Sequence, residues 1–204
     1  MAKLQTEQPV KNAEIITLAF HVDYWNYLGW RDEFSSAEYS RRQSGYSRAF
    51  KLGSIYTPQM VVDGKYEFTG SGYSKALTEI GKAANENKGE VKLKVQEELL
   101  NPSVKVYISG LNLKEDSEVL LAVAEDNLST SVKRGENGGK KLNHISVVRN
   151  LVPLGNVAVG DKTFETEKTV QLNPNWDKKN LKLVVFVQNK NSKNIAAVGE
   201  TKLQ

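Results

Sequence analysis

The chain has 204 residues, 39% hydrophobic and 25% charged, an ordinary composition for a folded protein of one large or two small domains. It contains no cysteine, which excludes disulfide bonds, thiolate nucleophiles and cysteine metal sites within this chain. The net charge is +4, with 11 basic and 11 acidic side chains in residues 1–90 and 17 and 13 in residues 91–204. A surplus this small, spread over single lysines, argues against nucleic-acid binding. No apolar run approaches the roughly 20 residues of a membrane span, and no N-terminal secretory signal is evident.

The first half of the sequence alternates short apolar runs with helical patterns. Ile15–Phe20 is a continuous apolar run, which predicts a strand buried on both faces, as in a parallel sheet. Ser35 and Glu38 have capping-box spacing, which predicts that a helix follows over Ser36–Phe50. These two elements indicate an α/β arrangement.

A predicted hairpin follows this helix. Gln59–Val62 has the composition of a short strand, and Asp63-Gly64 is a strong turn signal leading into a second strand at Tyr66–Phe68. An amphipathic helix comes next, and the polar stretch that ends it closes at Gly89. We therefore place a first domain of α/β class at residues 1–89.

The second half, residues 90–204, consists almost entirely of candidate strands separated by turn signals. Seven or eight short strands without a helical pattern predict a β-sandwich domain. The candidate strands are Val91–Gln96, Ser103–Ser109, Val119–Ala124, Leu142–Leu151, Thr163–Leu172, Leu181–Gln188 and Ile195–Thr201.

Thr57-Pro58 stands immediately before the predicted strand Gln59–Val62. A proline at a strand entrance, followed by a hairpin, has the layout of the second half of a thioredoxin fold, in which this proline is cis. The alternative is a trans proline at the first residue of a strand, where its missing N–H costs nothing. The order of elements favours the cis form and makes both residues candidates for a binding site.

The segment from residue 21 to residue 30 is the most unusual stretch of the chain, because it combines two tryptophans, two tyrosines, a histidine and an aspartate. It leaves the carboxyl end of a predicted strand, where open α/β sheets bind their ligands. A histidine and an aspartate two positions apart share a face if the strand continues, so the carboxylate would orient the imidazole. The alternative is that the aromatic side chains pack against the second domain around a core histidine. The candidate binding residues here are His21, Asp23, Tyr24, Trp25 and Trp30.

A glycine-rich stretch at residues 133–139 precedes His144. Arg134, Glu136 and Asn137 beside its glycines, together with His144, are candidates for binding an anion. It lacks the lysine and hydroxyl of a phosphate-binding loop and opens no helix. The alternative, which we favour, is a tight turn between strands in which Arg134 pairs with Glu136 or a neighbour. The chain shows no metal-binding spacing, and we expect no cofactor.

Three stretches carry a family resemblance. They are His21–Trp30, Tyr56–Gly64, and Arg134–Asn137 with Val147–Arg149. In this order they resemble domain-of-unknown-function family 1223. The resemblance implies a bacterial protein, secreted or periplasmic, with a thioredoxin-like domain followed by a β-sandwich.

The resemblance also implies an opening strand and a Cys-x-x-Cys pair that this sequence lacks, since Met1–Gln5 looks like the tail of the helix that follows them. We therefore expect an incomplete, N-terminally truncated thioredoxin-like domain. The missing strand would lie between Ile15–Phe20 and Gln59–Val62, so these two strands would pair directly or another segment would fill the gap. Without a signal peptide, this chain as written would remain cytoplasmic.

Three functional hypotheses follow. The chain is a redox-inactive remainder of a parent resembling a thiol–disulfide oxidoreductase, or it is a binding module. As a binding module it would use the loop His21–Trp30 and the sandwich surface to hold a protein or small-molecule partner of unknown identity. The third hypothesis is a cysteine-independent enzyme that uses His21 and Asp23.

Overall fold

The computed structural model describes residues 1–96, 98, 100–132 and 138–203. Within these residues the chain forms helices α1 Ala2–Glu7, α2 Ala37–Ala49 and α3 Tyr73–Ala83, and a short 3₁₀ turn at Lys178–Asn180. The strands are β1 Gln59–Val62, β2 Tyr66–Thr69, β3 Glu90–Gln96, β4 Ser103–Ser109, β5 Ser117–Glu125, β6 Leu128–Ser131, β7 Lys141–His144, β8 Val147–Val157, β9 Phe164–Thr169, β10 Leu181–Asn189 and β11 Ile195–Lys202. In this described part, none of the helices combines the length and the apolar character that a membrane crossing requires.

Two antiparallel sheets form a sandwich in the second half of the chain. One has four strands in the order β11-β10-β5-β8, and the other has three in the order β3-β4-β9. Alternate side chains of the facing strands point into the space between the sheets and exclude water from it. The fully buried members of this core include Val104, Val106, Ile108, Val119, Leu121, Val123, Leu183, Val185 and Val187.

The other face of the four-stranded sheet is buried too. The intervening side chains of β5 and β10 pack against α2 and the segment before it, forming a second core. Its members include Leu120, Ala122, Val184, Phe186 and Tyr39, with Ile16, Leu18 and Phe20 packed against them. Three layers result, with the four-stranded sheet in the middle. This double burial explains why β5 and β10 carry nearly unbroken apolar runs.

Helix α2 provides much of this outer layer. Ser36 caps it, because its hydroxyl accepts a hydrogen bond from the Glu38 N–H at 3.1 Å. The cap therefore lies one residue after the predicted Ser35. The helix places the Tyr39 ring edge-on against Phe20, with centroids 5.2 Å apart. Burial of this aromatic pair fixes α2 to the sheet.

The predicted hairpin is confirmed. Strands β1 and β2 pair antiparallel with Val62 opposite Tyr66, and the tight turn between them contains Asp63 and Gly64, whose φ angles are 49° and 65°. A Cβ at Gly64 would lie 1.8 Å from the carbonyl oxygen of Lys193, in the turn between β10 and β11. Only glycine permits this approach, which also allows the Ile195 N–H to donate to the Asp63 carbonyl at 2.9 Å. The hairpin is thereby attached to the sandwich.

The predicted thioredoxin-like fold is wrong. Ile15–Phe20 forms no regular strand; a single parallel bridge joins Ala19 to Val147 of β8. Strand β1 pairs with β2 alone, in a sheet of two strands. It therefore neither pairs directly with Ile15–Phe20 nor pairs with another segment that fills the gap between them. The apolar run is partly buried because Ile16, Leu18 and Phe20 cover the outer face of the sandwich, not because the run lies inside a helix-flanked parallel sheet. The predicted cis bond between Thr57 and Pro58 is present, but in the loop that leads into this small hairpin.

The predicted strand Leu142–Leu151 is two strands, β7 and β8, separated at Ser146. Ser146 has a φ of 51° and is fully buried, and its N–H donates to the Asp126 carboxylate at 2.6 Å. The Asp126 carboxylate thus takes the place of a backbone carbonyl on a neighbouring strand as the acceptor for the Ser146 N–H, and the chain turns at Ser146. Strand β6 was not predicted, because its sequence is largely polar.

A polar network attaches α1 to the same place. Gln5 donates to Asp126 at 3.0 Å and accepts hydrogen bonds from the hydroxyls of Thr17 and Ser146 at 2.8 and 2.6 Å. Buried polar groups stabilise a fold only when they are bonded in this way. The network ties three distant parts of the chain together at one edge of the sandwich.

Replacing Leu120 or Leu121 by alanine should each lower the free energy of unfolding by about 2–5 kcal/mol, since the two side chains face different cores. Urea denaturation measures both losses. The control Val159→Ala, at a position 56% exposed, should stay within about 0.5 kcal/mol of wild type. A neutral Leu120→Ala would show that the outer layer does not pack on the sheet.

Candidate functional site

A hydrogen bond closes the loop that the sequence singled out. His21 Nδ1 and Asp32 Oδ2 are 2.6 Å apart, and both side chains are 17% exposed. The His21 carbonyl also accepts from the Ser36 N–H at 3.0 Å, at the start of α2. We call residues 23–30 the aromatic loop and the His21–Asp32 pair its neck. The neck holds the two ends of the loop together.

Asn26 supports the aromatic loop from inside. Its side-chain oxygen accepts from the Asp32 N–H at 3.0 Å, and its amide nitrogen donates to the Ser35 hydroxyl at 2.9 Å. Two turn hydrogen bonds, from the N–H of Asn26 to the Asp23 carbonyl and from that of Leu28 to the Trp25 carbonyl, are each 3.0 Å long. The loop is therefore ordered by its own polar groups before any partner binds.

The neck packs against the second histidine of the chain. The His144 ring centroid lies 5.2 Å from that of His21 and 5.4 Å from that of Phe34, both edge-on. The Thr130 hydroxyl is 3.1 Å from His144 Nε2. The structure thus brings together two predicted site residues, His21 and His144, from opposite halves of the chain.

An ion pair lies beside this cluster. The Arg149 guanidinium is 4.9 Å from the Phe34 ring centroid and 5.3 Å from that of Trp176. It bonds at 3.0 Å to Glu125, whose side chain is 3% exposed. The second oxygen of Glu125 accepts from the Asp177 N–H at 3.1 Å, so the buried carboxylate is well bonded. The pair holds Phe34 against the histidines.

The environment shifts the pKa of two groups in the cluster. Burial alone would raise the pKa of Asp32, but hydrogen bonds from His21 and the Phe34 N–H outweigh it and hold the pKa below its ordinary value of 3.8. Burial lowers the pKa of His144 from its ordinary 6.5, and the neighbouring His21 lowers it further. At neutral pH Asp32 is therefore a carboxylate, and His144 is uncharged.

The tip of the aromatic loop presents apolar side chains to solvent. Trp25 is 45% exposed, Tyr27 75% and Leu28 54%. The Trp25 indole N–H donates to the Thr57 hydroxyl at 2.8 Å, which fixes the ring, and Tyr24 donates to Gln43 at 2.9 Å. The loop therefore combines a bonded base with an apolar outer surface.

The remaining predicted residues of the first half have varied roles. Trp30 is half-buried. The Pro58 carbonyl accepts from the Gly70 N–H at 2.8 Å. The predicted pairing of Asp23 with His21 is wrong, because Asp23 accepts from the Ser40 hydroxyl at 2.5 Å. The chain turns at Asp23 instead of continuing as a strand, so the two side chains do not share a face.

The predicted anion-binding residues Arg134, Glu136 and Asn137 lie outside the described residues. Sequence inspection missed Asp32, Phe34 and the Arg149–Glu125 pair, since tertiary packing alone brings them to the histidines. Phe34 and Asp32 follow the aromatic loop directly, which is the one local signal that could have drawn attention to them. Among the described residues, no group of three histidine, aspartate or glutamate side chains could hold a metal ion.

The fold and site define a three-layered β-sandwich protein with a closed aromatic loop at one edge. The chain belongs to the DUF1223 family of proteins of unknown function, which matches residues 1–188.

Two solved structures are similar to this chain. Protein AGR_C_4864 from Agrobacterium tumefaciens is 24% identical, with a TM-score of 0.68 over 91% of this chain and 78% of that one. HBP35 of Porphyromonas gingivalis is 15% identical, with a TM-score of 0.60 over 81% of this chain and 58% of that one. At these identities the likeness concerns the fold alone. No curated protein matches the sequence significantly.

We expect stability to rise with pH through the window just below pH 6.5. There the unfolded chain protonates His144 while the folded chain, with its lowered pKa, does not, so acid favours unfolding. Urea midpoints measured from about pH 5 to about pH 8 should rise less steeply in His144→Gln than in wild type. The exposed neighbour substitution Asn143→Gln should keep the wild-type slope. Equal slopes in His144→Gln and wild type would contradict this assignment.

Proposed function

We propose that this protein is a binding module that holds an apolar segment of another protein on its aromatic loop. The observation that carries the proposal is the exposure of Trp25, Tyr27 and Leu28, by 45, 75 and 54%, within four consecutive residues. Apolar residues scattered singly over a surface need no explanation, whereas a cluster of them suggests a contact surface. Aromatic side chains at the centre of an interface supply much of its binding free energy.

The order of the loop supports the same function. The neck between His21 and Asp32, the bonds of Asn26 and the bond from Trp25 to Thr57 hold the backbone and one indole ring in place. A surface held in this way loses little conformational entropy when a partner binds, so more of the contact energy appears as affinity. An apolar loop whose role was only to pack would be expected to bury these side chains.

The charges around the loop favour a protein partner over a lipid surface. Asp23, Asp32 and Glu33 supply three carboxylates between residues 21 and 34, against the one guanidinium of Arg31. Anionic membranes attract basic segments, so this loop would be repelled from such a surface. A partner segment with an apolar centre and basic flanks matches the loop in both respects.

Selection of displayed random peptides provides the test. Peptides are selected on the wild-type protein and depleted on a variant that carries Tyr27→Ser and Leu28→Ser. Enriched peptides are then titrated while tryptophan fluorescence is recorded. We expect them to bind wild type at least about tenfold more tightly than the double variant, because truncating central interface residues costs about 2 kcal/mol or more.

Val159→Ser is the matched control, since Val159 is 56% exposed but far along the chain from the loop. It should leave peptide affinity unchanged, and all variants should unfold at the same urea concentration as wild type. Failure to enrich any peptide over the double variant would refute the proposal. Equal affinity of the enriched peptides for the double variant would refute it too.

A further inference from the structure

A second surface, apart from the aromatic loop, has the properties of a ligand site. Between α2 and the outer face of the central sheet lies a cleft of about 370 Å³. This volume is within the range of small-molecule pockets. Leu120, Leu151 and Pro153 form an apolar floor, whereas the helix side is basic. A cleft of this composition suits an amphipathic anion.

Arg42 is held in the cleft by aromatic rings. Its guanidinium lies 4.9 Å from the ring centroid of Phe20, 5.3 Å from that of Tyr46 and 5.5 Å from that of Phe186. Its Nε is buried, and no acceptor in the described part of the chain bonds to it. The rings offset part of the cost of desolvating this charge, but among the described residues no carboxylate forms an ion pair with the guanidinium.

The hydroxyl of Tyr46 is the central group. It accepts a hydrogen bond from Gln188 Nε2 at 2.8 Å and another from Arg42 at 3.3 Å. Both of these nitrogens can only donate, so the oxygen is the acceptor in each bond and its own hydrogen remains available. The amide orientation of Gln188 is fixed, because the same Nε2 donates to the Lys193 carbonyl at 2.8 Å. Among the described residues, no acceptor bonds to the Tyr46 hydrogen.

Further positive charge surrounds this hydroxyl. Arg41, Arg48 and Lys193 line the cleft, and a Cβ on Gly45 would lie 3.7 Å from Lys193 Cε and 4.0 Å from an Arg48 nitrogen. The cleft also contains Glu38 and Glu118, yet within the described part of the chain neither forms an ion pair with its arginines. The electrostatic field in the cleft is therefore positive and not neutralised internally.

We propose that this cleft binds a small organic anion, a carboxylate or a phosphate monoester with an apolar body. An anionic oxygen accepts the free hydrogen of Tyr46 and pairs with the Arg42 guanidinium, while the apolar body covers Leu120 and Leu151. Charge-assisted hydrogen bonds to a fixed guanidinium and hydroxyl are among the stronger polar contacts in proteins. Gly45 adds no side chain of its own to the cleft, and the flexible ends of Lys193 and Arg48 lie beside it.

Isothermal titration with benzoate and with phenyl phosphate at low salt tests this proposal, and inorganic phosphate serves as the probe without an apolar body. We expect saturable binding of at least one of the two aromatic anions. Tyr46→Phe should weaken it about tenfold or more, the usual effect of losing a hydrogen bond to a charged group. Gly45→Leu should abolish binding by filling the cleft. If that variant does not fold, Arg48→Gln, at an exposed position, should weaken binding instead.

Two variants on the three-stranded sheet serve as matched controls. Tyr107→Phe, at a tyrosine 40% exposed, and Lys168→Gln, at an exposed lysine, should leave binding unchanged. The absence of saturable binding by either aromatic anion would overturn the proposal. An equal loss in Lys168→Gln and Tyr46→Phe would overturn it as well, because it would indicate general attraction to a basic surface. Inorganic phosphate binding as tightly as phenyl phosphate would refute the role of the apolar floor.

Discussion

Double-sided burial of the four-stranded sheet governs this structure. Successive residues of β5 and β10 enter different cores, so Leu121 and Val185 face the three-stranded sheet while Leu120 and Phe186 face α2. Neither face of these two strands is exposed to solvent. The central sheet is therefore stable in this form only while both outer layers cover it. Helix α2 and the segment before it thus form the third layer of the sandwich. Helices α1 and α3 and the β1–β2 hairpin pack around a smaller core of their own.

The site depends on the same arrangement. The segment Ile15–Phe20 runs over the outer face and meets β8 at the Ala19–Val147 bridge, which places His21 beside the start of that strand. His144 ends the preceding strand, so the two histidines meet where the layers join. The neck of the aromatic loop is therefore positioned by packing that lies mostly outside the loop.

Local signals predicted local structure well. Asp63-Gly64 formed the expected turn, because both residues accept positive φ, and the alternating strands of the second half were found because alternation reflects a half-buried face. The apolar run Ile15–Phe20 led to a wrong prediction, because such a run indicates contact with other parts of the protein without indicating which parts. The partner of His21 was beyond prediction, since Asp32 reaches it only after the loop has turned back on itself. Ser146 split a predicted strand through a long-range bond to Asp126.

The outer layer also determines which fragments of the protein can be expressed on their own. A fragment starting at β3 would retain every strand of both sandwich sheets. Without α2 and the segment before it, however, Leu120, Val184 and Phe186 would form a continuous exposed apolar surface. Such a surface invites self-association, so the fragment would precipitate or oligomerise although its hydrogen-bonded framework is complete. Recombination or transplantation of this architecture must therefore carry the amino-terminal segment along with the strands.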